Sequence, residues 1–235
     1  MDNTNQKLFT KVVQKGSLKI DIYDLIFKLF KQFKLEVEKL AEDYKTFSTS
    51  EINKRKIDFE YKDKGDFEFE IKFGGDVLLF LLHSNIFEIP RDHELMNTRY
   101  IKDDKERSYC GVIHIYNFLA DSLKYNREND AGYLIGRLMV NKEKHYFIEG
   151  KKEIGMIYHN FEKSVLELDA IREIITSAIE YTLNFDLLIP PYESVSLISV
   201  LSLQNTIQGS QMSTGKRMGF KFKADKKEVK GIYKK

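Results

Sequence analysis

Residues 56–73 read KIDFEYKDKGDFEFEIKF, and their alternation decides the fold class. Ile57, Phe59 and Tyr61, then Phe67, Phe69, Ile71 and Phe73, take every second place, with charged residues between them and a polar turn ending at Gly65. A period of two places apolar side chains on one face of a strand, so the stretch predicts two half-buried strands joined as a hairpin. A hairpin at this point makes the sheet antiparallel here.

Upstream the period is that of a helix. Residues 20–45, IDIYDLIFKLFKQFKLEVEKLAEDYK, carry apolar side chains at 22, 25, 26, 29, 30, 33, 37, 40 and 44, the spacing of one helical face. A helix lying on a sheet is the leading reading, with a dimerisation helix and a membrane-surface helix as alternatives. Lys28, Lys31 and Lys34 interleave with Phe27, Phe30 and Phe33, but Glu36, Glu38, Glu42 and Asp43 follow, which an anionic surface would repel.

Downstream, VLLFLL (77–82) and IFEI (86–89) read as further buried strand, and Pro90 opens a loop. Residues 91–107, RDHELMNTRYIKDDKER, sustain no period, and a polar segment of this length in a compact domain is uncommon unless it is mobile or functional. YCGVIHIYNFL (109–119) resumes as buried strand and passes into a short helix near 119–126. YLIGRLMV, HYFIEG and IGMIYHNF, separated by NKEK and KKE, predict a three-stranded meander covered on both faces. SVLELDAIREIITSAIEYTLNFDLL (164–188) supplies a second long helix stopped by Pro190 and Pro191, and 193–207 leans to helix. The sum is an α+β fold: an antiparallel, hairpin- and meander-connected sheet flanked by two or three helices, the first of them amphipathic. One domain is expected over 1–208, with 209–235 a basic tail or edge strand.

Composition sets the class. Of 235 residues, 42% are hydrophobic and 31% charged, as in a globular protein. The start MDNTNQK has no apolar leader core, and VLLFLL falls far short of the roughly 20 residues a membrane helix needs. Cys110 is alone, so no internal disulfide forms, which fits a reducing cytoplasm. The bias to Lys, Ile, Asn, Phe and Tyr is that of an AT-rich bacterial or phage genome. The formal charge of +2 divides unevenly: residues 216–235 carry +7 and residues 1–215 carry −5. A basic tail can bind phosphate backbones or dock on an acidic body.

No complete catalytic or cofactor motif occurs. Cys110 and His114 share a strand face, but four residues at about 3.3 Å each hold them about 13 Å apart, and proton transfer needs about 3 Å. Cys110 could meet a histidine of another strand, such as His83, yet a lone strand cysteine is ordinarily a small core residue. His83, Asp92, His93 and Glu94 match no zinc spacing, and His145 with His159 lack a third ligand nearby. GSQMSTGKR (209–217) resembles a phosphate loop but spaces its glycines by five residues and puts Arg217 after Lys216. RMGFKFK (217–223) faintly echoes a base-stacking strand; an edge strand is the simpler reading.

The expectation that follows is a non-enzymatic cytoplasmic module that forms a homo-oligomer and recognises a small anionic ligand or a protein partner through segment 83–107. Arg91, Arg99 and Arg107 would contact the anion, and His83, Asn85 and His93 would supply hydrogen bonds. The first alternative is nucleic-acid binding through Lys216, Arg217, Lys221 and Lys223 of the tail. The second is a hydrolase or transferase with a site near Cys110. No metal, cofactor or membrane span is expected.

Overall fold

A computed structural model describes residues 3–48, 55, 57–127, 130–150, 160–185, 192–197 and 199–201. The first helix, α1, runs Asn3–Ser48, so it begins 17 residues before the expected start at 20. The predicted hairpin is β1 (Phe59–Asp63) and β2 (Glu68–Phe73), paired antiparallel with Tyr61 opposite Ile71. Gly65, at φ +105°, closes the turn in a conformation that favours glycine. Next come β3 (Asp76–Leu82) and β4 (Phe87–Glu88), three one-turn helices (Glu94–Asn97, then α2 at Arg99–Asp103, then Lys105–Ser108), and β5 (Tyr109–Leu119). After it follow α3 (Ala120–Lys124), β6 (Tyr133–Asn141), β7 (Tyr146–Gly150), α4 (Leu168–Leu183) and α5 (Tyr192–Val195).

All seven strands form one antiparallel sheet in the order β1-β2-β3-β5-β6-β7, with β4 also paired to β5. β3 and β4 run along β5 as one interrupted strand, and Ser84–Ile86 forms the excursion between them. The α+β class is therefore as expected. The third meander strand and its His159 lie outside the described residues, as do 198 and 202–207 of the next segment and the whole of 209–235.

Alternation assigns the two faces of the sheet. Phe69, Ile71, Phe73, Leu78, Phe80, Leu82, Ile113, Ile115, Leu138, Val140 and Ile148 face α1 and α4 in the main core. From α1 this core takes Ile26, Leu29, Phe30, Phe33 and Val37. At Gly111 a Cβ would stand 2.8 Å from Ile26, so the absent side chain is what lets α1 lie this close to β5. Glu36, buried between the helices, accepts from Arg172 of α4 at 2.6 Å and from Lys39 at 2.7 Å. These two donors, Lys39 first, hold its carboxyl below the usual range against the cost of burial.

The opposite face is covered at one end by segment 83–107. IFEI is only partly the buried strand expected from its apolar content: it pairs for two residues, and Phe87 stays 44% exposed while Ile89 is buried. The 91–107 stretch, which has no readable period, is folded. Its Leu95, Met96, Tyr100 and Ile101, with Ile89 just before it, close over Cys110, Val112, Met139, Phe147 and Phe161 in a second apolar cluster. A period could not reveal it because each of its helices is about one turn long.

Candidate functional site

The residues expected to bind a ligand divide into separate places. Arg107 donates to Glu143 at 3.0 Å and to the Tyr100 carbonyl at 2.9 Å, and lies 4.3 Å over the Tyr100 ring. Tyr100 hydroxyl donates to Glu143 at 2.8 Å and accepts from Asn141 at 3.0 Å. Every member of this network is engaged, so it clamps the segment to the β6–β7 turn. His93 accepts the Leu95 N–H at its Nδ1, 3.2 Å away, and thereby starts the first one-turn helix. Its other nitrogen stands 3.7 Å from Glu149. Arg99 is exposed and pairs with Asp103.

His83 and Asn85 sit together at the β3–β4 excursion. His83 Nδ1 accepts the Asn85 N–H at 3.0 Å, and its ring meets Phe87 edge-on at 4.7 Å and lies 6.4 Å from His114. Burial, with the charge of Arg137 and His83 added, holds His114 below the usual imidazole range. Asn85 lines a shallow groove of about 410 Å³ with Lys19, Ile20, Tyr23 and Phe87.

Arg91 belongs to a larger groove beside it, of about 680 Å³, where segment 83–107 meets the first half of α1. Lys11, Lys15 and Leu18 of α1 line one wall at helical spacing. Glu88, Arg91, Lys105, Glu106 and Tyr109 line the other. Lys15 donates to the Tyr109 hydroxyl, which in turn donates to Glu88 at 2.9 Å. That bond raises the Lys15 pKa and keeps the ammonium charged. Glu106 is taken up by Lys142 at 2.7 Å. Among the described residues no carboxylate stands at ion-pair distance from Lys11, Arg91 or Lys105. A further groove continues the basic wall through Lys7 and Lys11.

Four cations thus converge where two carboxylates already have partners. Such a groove can hold a carboxylate or phosphate by charge and hydrogen bonding. Lys11, Lys15 and Lys105 were not among the expected ligands; the signal for the first two was the run Lys7, Lys11, Lys15, Lys19, whose spacing of four stacks them on one helical side.

Cys110 is sealed in the second cluster at 1% exposure, and burial pushes its thiol well above the usual range. A buried thiol held in its protonated form is a poor nucleophile. Among the described residues no three His, Cys, Asp or Glu side chains lie close enough to share a metal ion. No described helix is long and apolar enough to cross a membrane. Comparison with family models, with curated proteins and with solved structures finds no match.

Proposed function

We propose that the chain is a non-catalytic binding module, and that the groove between α1 and segment 83–107 takes an anionic group of a ligand or protein partner. The observation that carries this reading is the convergence of Lys11, Lys15, Arg91 and Lys105 around a groove whose own carboxylates already have partners, Glu88 in Tyr109 of the groove wall and Glu106 in Lys142. The fold supplies a rigid wall, since the Tyr100–Asn141–Glu143–Arg107 network fixes the segment that carries Arg91 and Lys105. On this reading segment 83–107 binds with a different division of labour from the one expected. Arg91 faces the groove, Arg107 and His93 serve the segment's own structure, and His83 and Asn85 shape the neighbouring surface.

The test is calorimetric titration of the full chain with inorganic pyrophosphate, a compact multivalent anion. Binding should weaken with salt and fall by about tenfold or more when Arg91→Ala and Lys105→Ala are combined, roughly 1.4 kcal/mol or more. Unchanged affinity in that double variant would overturn the assignment.

A further inference from the structure

The first five turns of α1 show the same chain doing something the core does not require. Leu8, Phe9, Val12, Val13 and Ile20 are 55, 56, 62, 64 and 62% exposed, although each is large and apolar. At about 100° per residue, positions 8, 12, 16, 9, 20 and 13 sweep an arc of about 140°. Gly16 lies at its centre, with open space where a Cβ would stand. This stripe points roughly a third of a turn away from the buried line through Leu18, Ile22 and Ile26. It does not end at the helix. Tyr23 and Phe27 stack at 6.0 Å and carry it on to Phe67, itself 38% exposed and 6.0 Å from Phe27. Beside it, Phe87 and Ile86 line the shallow groove with Ile20 and Tyr23.

The charge along these turns has one sign. Between Asn3 and Ile20 there are four lysines, 7, 11, 15 and 19, and no acid. A contiguous exposed apolar patch rimmed by polar groups marks an interaction surface. Its cationic rim says that the partner is anionic as well as apolar-accepting. A second copy would bring the same lysines towards these and is disfavoured by that repulsion.

We infer that α1 docks on an anionic lipid surface: Leu8, Phe9, Val12, Val13 and Ile20 enter the headgroup boundary while the lysine flank and the cationic groove hold phosphate or carboxylate headgroups. The inference rests on the groove's anion-binding reading and names the source of the anion. A surface helix of this kind combines large apolar side chains with basic residues and low overall hydrophobicity, and here the lysines run along the edge of the stripe nearer the sheet. The acids that argue against such a role, Glu36, Glu38, Glu42 and Asp43, belong to the sheet-packed half of the helix. Glu36 is moreover neutralised by Lys39 and Arg172. Asp21 and Asp24 fall on the flank beyond the stripe.

The test is flotation of the full chain with vesicles of phosphatidylcholine alone and of equimolar phosphatidylcholine and phosphatidylserine, with pyrophosphate titration and light scattering in parallel. The expected result is binding to the serine-containing vesicles at least about tenfold tighter than to neutral ones, from about 1 kcal/mol per lysine near the surface. Combining Phe9→Gln with Val13→Gln, neither of which lines the groove and neither of which adds charge, should abolish vesicle binding while pyrophosphate affinity and the circular dichroism spectrum stay unchanged. Failure to bind serine-containing vesicles with pyrophosphate binding intact overturns the lipid assignment and leaves the groove reading standing. Failure of both overturns the two together. A concentration-dependent oligomer that dissociates in the same double variant would assign the stripe to a second copy and overturn the inference.

Discussion

The two halves of α1 are one continuous helix with opposite relations to the rest of the molecule. From Ile22 to Ala41 the side chains at helical spacing are buried; Ile22, Ile26, Phe30, Phe33 and Val37 are fully so. From Leu8 to Ile20 the large apolar side chains other than the buried Leu18 are more than half exposed, and the charged ones are all lysine. Apolar content alone therefore does not distinguish a core element from a docking element. The phase of the stripe relative to the packed face does, together with the sign of the charges at its edge.

Substitutions should separate the halves. Phe33→Ala removes a fully buried ring packed 6.1 Å from Phe80 and is expected to cost about 3–5 kcal/mol in denaturant unfolding. Val12→Asp with Val13→Asp, on the exposed half, should stay within about 0.5 kcal/mol per site. Comparable losses from both would mean that the first half is also packed in solution. Gly111→Ala tests how closely the packed half lies on the sheet. The added methyl would stand 2.8 Å from Ile26, and overpacking of this kind costs about 1–3 kcal/mol. Ile26→Val should not relieve it, because valine keeps the Cβ and both Cγ atoms that the added methyl would meet.

A pH-dependent effect concerns the buried carboxylate that fastens the packed half to α4. Glu36→Gln should cost about 1–2 kcal/mol near neutral pH, since Arg172 is half exposed and returns easily to water. Because the native Glu36 pKa is lowered, its contribution is complete above the ordinary carboxylate value of 4.5 and is lost as pH falls through the native value. The variant should therefore lose less stability than the parent below that point. His114 acts in the same direction at higher pH. Its native pKa lies below the ordinary 6.5, so stability begins to fall as pH drops beneath 6.5. Thermal unfolding of parent, Glu36→Gln and His114→Gln as pH is lowered from 8 to about 3 separates the two, since His114 acts below 6.5 and Glu36 only below 4.5. An unaltered pH slope in both variants would refute these assignments.

How much was legible in the sequence follows from these same forces. The alternation at Phe59–Tyr61 and Phe67–Phe73 survives in the fold because one face of β1 and β2 is packed and the other is not. The packed half of α1 was visible for the same reason at a period of 3.6. Its first five turns were missed because their apolar side chains lie on a different face, so the two stripes do not add into one period. Segment 91–107 was opaque because Leu95, Met96, Tyr100 and Ile101 reach the same cluster from successive one-turn helices. Of the expected site, Arg91 reaches the groove. Its other cations, Lys11, Lys15 and Lys105, come from residues up to 94 positions apart, as the Lys15–Tyr109 contact illustrates, and no local pattern records that proximity.

The most direct measurement is hydrogen exchange across α1, read by mass spectrometry on the full chain with and without phosphatidylserine-containing vesicles. The account predicts strong protection of residues 22–41 under both conditions and a gain of protection over residues 3–20 only when the vesicles are present. Equal protection of both halves in the free protein, or a vesicle-induced change confined to regions outside α1 and the groove, would contradict it.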